Sequence, residues 1–217
     1  MPEVITIEHK ILKKNADIAL ENRARFDEAG VFVVGLVSSP GSGKTSLLER
    51  TLQKLQGRAR CAVIEGDVQT DNDARRIAAL GVPAVQIVTN GTCHLEARMV
   101  QEALPQVELR GLDILFVENV GNLVCPTGYD LGEAARVVLL AVTEGEDKPL
   151  KYPGAFLWAD CVVVTKVDLA EAVELDYAAL AANIQSVHPG VPMLYTSAKR
   201  GTGMAEWVAW LEAIGSR

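Results

Sequence analysis

The chain has 217 residues, enough for one ordinary α/β domain and short for two, and 49% of them are apolar, so a sizeable core is available. Its 21 Lys and Arg stand against 28 Asp and Glu, a net charge of −7, which argues against a general nucleic-acid surface. The longest apolar runs are strand length, no transmembrane span is expected, and the polar, charged N-terminus does not read as a signal peptide; a cytoplasmic location follows as the expectation. In that compartment the four cysteines stay reduced, which predicts no disulfide framework.

The first 30 residues read as an N-terminal helical segment of a single domain spanning 1–217. Ile11, Leu12, Ile18, Leu20 and Phe26 recur at helical spacing, and residues 15–29 hold few breakers, so one helix ending at Gly30 is predicted to pack on the main sheet.

Residues 31–37 form an apolar run that reads as a buried strand. Ser38-Ser39-Pro40-Gly41-Ser42-Gly43-Lys44-Thr45 follows, and apolar residues at helical spacing then run to Leu55. Strand, glycine-rich loop and helix are the context of a phosphate-binding loop. Gly41 and Gly43 let the backbone wrap an oxyanion, and the helix aims its free N–H groups at phosphate. Lys44 can reach the β- and γ-phosphates and Thr45 can ligate Mg²⁺; Gly41, Ser42, Gly43, Lys44, Thr45 and Ser46 are the candidate phosphate contacts. Ser38 stands where the G-x-x-x-x-G-K-T pattern has its first glycine, and the loop closes if Ser38 keeps a negative φ.

A second strand, 60–65, delivers Asp67, Asp71 and Asp73 at its C-terminal end, the edge where open α/β sheets bind ligands. One acid caps the helix predicted over 74–80; Asp67, just past the strand, is placed to hold Mg²⁺ or its waters. A third strand, 84–88, leads to Cys93-His94, and a fourth, 113–118, ends on Glu118, the acid expected beside a phosphate-binding loop. Gly121 is placed to offer an N–H to the γ-phosphate, and Cys125 follows in the same loop. Cys93, His94 and Cys125 are candidate metal ligands. Three ligands in one chain, a four-sulfur site across a two-fold axis, and ordinary loop thiols are all compatible with the spacing. Cys61 and Cys161, inside apolar runs, read as small core side chains.

A fifth apolar run, 135–143, precedes a charged loop, 144–153, whose Lys148 and Lys151 either face solvent or reach nucleotide, in the same subunit or across a dimer. The sixth strand, 161–164, ends in Thr165-Lys166-Val167-Asp168. Lys166 can lay its stem along a purine, and Asp168 can accept from guanine N1–H and N2–H₂, which adenine lacks. Thr165 takes the place of the usual Asn and can brace the loop. A helix over 177–187, a strand over 193–196 and a helix over 204–214 complete the chain. Ser197-Ala198-Lys199 offers backbone N–H groups to guanine O6, and Trp207 and Trp210 are expected to seal the core or a dimer face. The fold class is α/β: a mostly parallel sheet with helices on both faces, of the P-loop NTPase type.

The residues to this point allow a GTPase or another P-loop enzyme such as a small-molecule kinase. Residues 36–45, Glu65-Gly66-Asp67-Val68, residues 90–95 with Cys-His-Leu, residues 118–126 with Asn-Leu-Val-Cys-Pro, and residues 148–153 together resemble the HypB family of hydrogenase nickel-incorporation GTPases. The resemblance covers nearly the whole chain after the first helix and includes Ser38. It implies a fold similar to the SIMIBI class, shared with urease-type nickel accessory GTPases, and hydrolysis of GTP to GDP with Mg²⁺ held at Thr45, Asp67 and Glu118. Lys44, Asp67 and Glu118 would be the catalytic residues, with Asp71 or Asp73 as a further acid. Ni²⁺ or Zn²⁺ would bind at Cys93, His94 and Cys125, at or near the interface of a nucleotide-dependent homodimer. Lys148 or Lys151 would complete the nucleotide site. The implied partners are a HypA-like zinc or nickel protein and the large subunit of [NiFe] hydrogenase. Residues 1–30 hold neither the Cys-x-x-Cys-Gly-Cys site nor the His-rich tract of many bacterial members.

Overall fold

The computed structural model describes residues 7–69 and 72–215. Seven strands, β1 (Phe32–Ser38), β2 (Cys61–Asp67), β3 (Ala84–Val88), β4 (Ile114–Glu118), β5 (Ala135–Ala141), β6 (Cys161–Thr165) and β7 (Met193–Tyr195), form one sheet in the order β3-β2-β4-β1-β5-β6-β7. Every neighbouring pair is parallel. The helices are α1 (Ile7–Ala29), α2 (Lys44–Leu55), α3 (Asn72–Ala78), α4 (Ala97–Ala103), α5 (Lys148–Lys151), α6 (Pro153–Leu157), α7 (Tyr177–Val187) and α8 (Met204–Gly215). No helix among the described residues is long and apolar enough to cross a membrane.

The strands read as continuous apolar runs because helices cover both faces of the sheet. Successive residues point to opposite faces. Val34, Phe116, Val137 and Val163 pack with Leu47, Leu48 and Leu52 of α2 and Trp207 and Leu211 of α8. Val33, Leu115 and Val117 meet Phe26 of α1 and Val100 of α4. Val138, Leu140 and Val162 meet Phe156 of α6 and Leu180 and Ile184 of α7. Trp207 is buried, stacks on Trp210 with centroids 5.5 Å apart, and donates its indole N–H to Thr51 Oγ1 at 2.8 Å. β1 lies at the centre. The chain leaves it toward β2 on one side and later fills β5, β6 and β7 on the other, so the loop after β1 sits at the switch point where open α/β sheets bind ligands.

Two local readings change. β2 runs on through Asp67, which therefore sits on the strand's last position. Residues 144–153, expected as a charged loop, instead wind into α5 and the start of α6. Pro149 stands in the first turn of α5, where its missing N–H costs nothing, and Glu144–Lys148 and Asp147–Lys151 pair at i,i+4 spacing. Asp71 lies outside the described residues.

Candidate functional site

The loop after β1 closes because two glycines take left-handed backbone angles: φ is 73° at Gly41 and 91° at Gly43. Ser38 is not among the residues with positive φ, and it is buried. Its hydroxyl accepts from Lys44 Nζ at 2.9 Å and contacts Ser42 Oγ, which also donates to the Ser39 carbonyl at 2.6 Å. The serine in place of the first glycine thus holds the lysine at the loop mouth. α2 begins at Lys44 and presents its first-turn N–H groups to the cradle.

Beside this cradle stand two buried carboxyls on adjacent strands. Glu65 and Glu118 are register partners of β2 and β4, exposed by 2% and 4%. Thr45 Oγ1 donates to Glu118 Oε1 at 3.0 Å, and the Glu65 and Glu118 carboxyls are hydrogen-bonded to each other. Burial, reinforced by Glu118 and Asp73, pushes Glu65 up to about 10; burial raises Glu118 to about 7, against the pull of Lys44 and the Thr45 bond. At neutral pH Glu65 therefore keeps its proton and donates it to Glu118. Glu65 was not among the candidate site residues read from the sequence; the signal was a carboxylate inside an apolar strand. Lys44, Asp67, Asp73, Glu118 and Gly121 line one cavity. Asp67 Oδ1 accepts from Gln69 N at 2.9 Å, and Asp73, in the first turn of α3, pairs with Arg76 at 3.1 Å. Glu118 Oε2 is buried with no hydrogen-bond partner, so this cluster of hard oxygens fits Mg²⁺.

A second cavity opens on the other side of the loop, lined by Gly43, Ser46, Lys166, Asp168, Ala198 and Lys199. Lys166 takes φ 59° and reaches back to the Gly41 carbonyl with Nζ at 2.6 Å. Thr165, buried, donates to the Ser42 carbonyl at 2.6 Å, which is the bracing bond expected of it. Ser197 Oγ donates to Asp168 Oδ1 at 2.5 Å, and this bond holds the Asp168 carboxyl below its usual range. An ionised acceptor thus lines this cavity.

The metal-ligand candidates converge from two loops. The ligand atoms of Cys93, His94 and Cys125 all lie within 4.8 Å of one another, in one chain. The Cys93 thiol donates to Cys125 Sγ at 2.8 Å, which raises it, and Cys93 Sγ is 3.9 Å from His94 Nδ1. Burial lowers His94 and so favours the neutral imidazole, the form that ligates metal. Its Nε2 is buried with no hydrogen-bond partner, and its ring packs on Tyr129 with centroids 4.1 Å apart. All four cysteines are free; Cys61 and Cys161 sit among core side chains that push both to about 12.

Residues 119–125 join the two sites. Asn119, next to Glu118, accepts from Leu95 N at 2.9 Å, and Asn122 Nδ2 donates to the Cys93 carbonyl at 3.3 Å. Gly121 lies so close to the phosphate loop that a Cβ there would stand 2.9 Å from Pro40 Cα. Lys148 and Lys151 stay apart from both cavities: Lys148 pairs with Glu144 at 3.3 Å and sits over the Tyr152 ring, and Lys151 pairs with Asp147 at 2.5 Å.

A phosphate cradle at the switch point of a parallel sheet, flanked by buried acids, places the chain among the P-loop nucleotide-binding proteins. The CobW/HypB/UreG nucleotide-binding domain matches residues 32–195. The hydrogenase maturation factor HypB of Azotobacter vinelandii is 54% identical over 209 residues, covering 96% of this chain and 69% of the relative. That of Escherichia coli K12 is 49% identical over 209 residues, covering 96% and 72%. The crystal structure of HypB from Helicobacter pylori in complex with nickel superposes with a TM-score of 0.90 at 39% identity, over 94% of this chain and 95% of that one. HypB from Archaeoglobus fulgidus superposes with 0.87 at 37% identity, over 94% and 99%. The chain therefore belongs to the CobW/HypB/UreG family and, within it, to the HypB hydrogenase maturation factors.

Proposed function

We propose that this chain is a GTP-hydrolysing switch of the cytoplasm that carries nickel toward [NiFe] hydrogenase, and that its nucleotide state sets its grip on the metal. The observation that carries the reading is the seven-residue path from Glu118 to Cys125, bonded through Asn119 and Asn122 to the loop of Cys93 and His94 and pressed by Gly121 against the phosphate loop. The nickel named in the Helicobacter pylori structure and the Cys93, His94 and Cys125 cluster support the cargo.

The backbone N–H groups of residues 41–46 and the Lys44 ammonium bind the phosphates. Asp168 accepts from guanine N1–H and N2–H₂, the Lys166 stem covers the ring, and N–H groups of Ser197, Ala198 and Lys199 face O6. Thr45, Asp67 and Glu118 would hold Mg²⁺, which would supply neutralisation of the phosphate charge. Asp67 and Glu118 orient the water that attacks the γ-phosphorus, and the bond to the β-phosphate oxygen breaks to leave GDP and phosphate. Lys44 stabilises the charge that develops on the transferred oxygens. Gly121 N–H bonds the γ-phosphate, so its loss releases residues 119–125. GTP draws two copies together around the Cys93 and Cys125 faces, with Lys148 or Lys151 of one copy reaching the nucleotide of the other. Hydrolysis loosens the dimer and frees nickel for a HypA-like zinc or nickel protein and then the hydrogenase large subunit. Zn²⁺ suits the same thiolate and imidazole donors.

The test is a Ni²⁺ titration of wild type and Cys125→Ala, each with GDP and with a non-hydrolysable GTP analogue, with oligomeric state followed in the same samples. Nickel affinity or stoichiometry that shifts with nucleotide, in step with dimerisation and lost in the variant, is the expected result. Identical nickel binding in both nucleotide states overturns the coupling. Equal affinity for ATP and GTP overturns the guanine assignment.

A further inference from the structure

The three metal ligands come from two loops whose cysteines stand 32 residues apart in sequence, and the Asn119 and Asn122 bonds between those loops are supplemented from outside them. α1 supplies two buried amides on one face. Asn15 and Asn22 are seven residues apart, two helical turns, and are exposed by 6% and 0%. Asn15 Oδ1 accepts from Ala97 N at 2.8 Å, and Asn22 Nδ2 donates to the Ala97 carbonyl at 2.8 Å. Both backbone groups of the residue three positions beyond His94 are thus tied to α1. The same two side chains hold the other loop: Asn15 Nδ2 donates to the Asp130 carbonyl at 2.7 Å and Asn22 Nδ2 to the Leu131 carbonyl at 3.1 Å. Arg23 adds an ion pair to Asp130 at 3.0 Å. Gly132 lies against the helix so closely that a Cβ would stand 2.7 Å from the Ala19 carbonyl. Tyr129, the neighbour of Asp130, carries the ring that packs on His94.

We infer that Asn15 and Asn22 are positioning residues of the nickel site: α1 splints the Cys93–His94 loop to the Cys125 loop and sets the spacing of the three ligands. The inference rests on the nickel-carrier reading above. Its physical content is preorganisation. Without the two amides the loops keep only part of their bracing, metal binding must supply more of their order, and that ordering entropy is taken from the affinity. The amides touch neither the phosphate cradle nor the cavity of Asp168, so they make no direct contribution to nucleotide binding.

Nickel affinity is measured on the full chain by competition with a chromophoric chelator, together with the thiolate-to-nickel charge-transfer absorption, GDP affinity and melting temperature. The proteins are wild type, Cys125→Ala, Asn15→Ala, Asn22→Ala and Phe26→Leu. Phe26 is buried in the core on α1 and makes none of these bonds, so its variant is the control for lost helix packing. Asn15→Ala and Asn22→Ala are expected to weaken nickel binding by about tenfold or more and to lower the charge-transfer band, with GDP affinity unchanged. Phe26→Leu is expected to melt earlier and to bind nickel as wild type does. If Asn22→Ala does not fold, Asn15→Ala decides alone. Wild-type nickel affinity and absorption in folded Asn15→Ala overturn the inference, as does an equal nickel loss in Phe26→Leu. Wild type and Cys125→Ala binding nickel alike overturn the carrier reading itself, and the inference with it.

Discussion

The two residues that depart from the common P-loop patterns, Ser38 and Thr165, both point their hydroxyls into the phosphate loop, one at Lys44 and one at the Ser42 carbonyl. Each replaces a general pattern element with a bond specific to this cradle. Asp168 illustrates the same economy. Its bond from Ser197 leaves it ionised and oriented, so Asp168→Asn is expected to lose charge-assisted bonds worth roughly 1.5–3 kcal/mol, tenfold or more in GTP affinity, while leaving ATP affinity unchanged. Fluorescent-nucleotide competition with both nucleotides checks this. The Glu65–Glu118 pair makes a pH prediction for the chain free of nucleotide and metal. Unfolded, both carboxyls ionise near the usual 4.5; folded, Glu118 holds a proton to about 7 and Glu65 to about 10. The folded state binds more protons across that window, so stability present at low pH is lost as pH rises. The melting temperature is expected to fall from about pH 6 to about pH 9, and Glu65→Gln, which keeps a donor toward Glu118, is expected to flatten that slope.

At the scale of elements, contact between the loop of residues 119–125 and the phosphate loop depends on a missing side chain. A Cβ at Gly121 would stand 2.9 Å from Pro40 Cα and 3.0 Å from Pro40 N, against backbone that cannot swing aside. Gly121→Ala is expected to destabilise by about 1–3 kcal/mol and to erase the preference for a GTP analogue over GDP, read by denaturant melts and nucleotide titration. Legibility in the sequence varied by element. Long apolar strands and α2 stand out because a buried strand and an amphipathic helix leave periodic patterns. α5 did not: four residues rich in charge carry no period, and its turns are held by local ion pairs. α4 was unread for a similar reason, being only seven residues long and partly capped by Asn15 from a distant helix.

For the whole molecule, the sheet order brings the ends of β1, β2, β3 and β4 to one edge and sets the phosphate, acid and metal loops side by side. Val124, next to Cys125, is 61% exposed, an apolar side chain on the face proposed for the second copy. Val124→Asp is expected to abolish dimerisation driven by a GTP analogue while leaving the nucleotide affinity of the single chain intact, which light scattering and titration separate. A variant that still dimerises would move the interface elsewhere.

Legible along the chain were the P-loop, the parallel α/β class, Asp168 as a candidate acceptor for guanine, and Cys93, His94 and Cys125 as candidate metal ligands, because each rests on residue types in a short distinctive stretch. The sequence left open whether the thiols meet, and it did not single out Glu65 or the bonds of Asn15 and Asn22. Those depend on contacts across long stretches: a register between β2 and β4, two loops 32 residues apart, and a helix joined to both through bonds as much as 115 residues away. A short-range pattern cannot encode such distances. Only the packed sheet decides which loops become neighbours, and burial in that packing is what keeps a proton on Glu65 and gives Asn15 and Asn22 their partners.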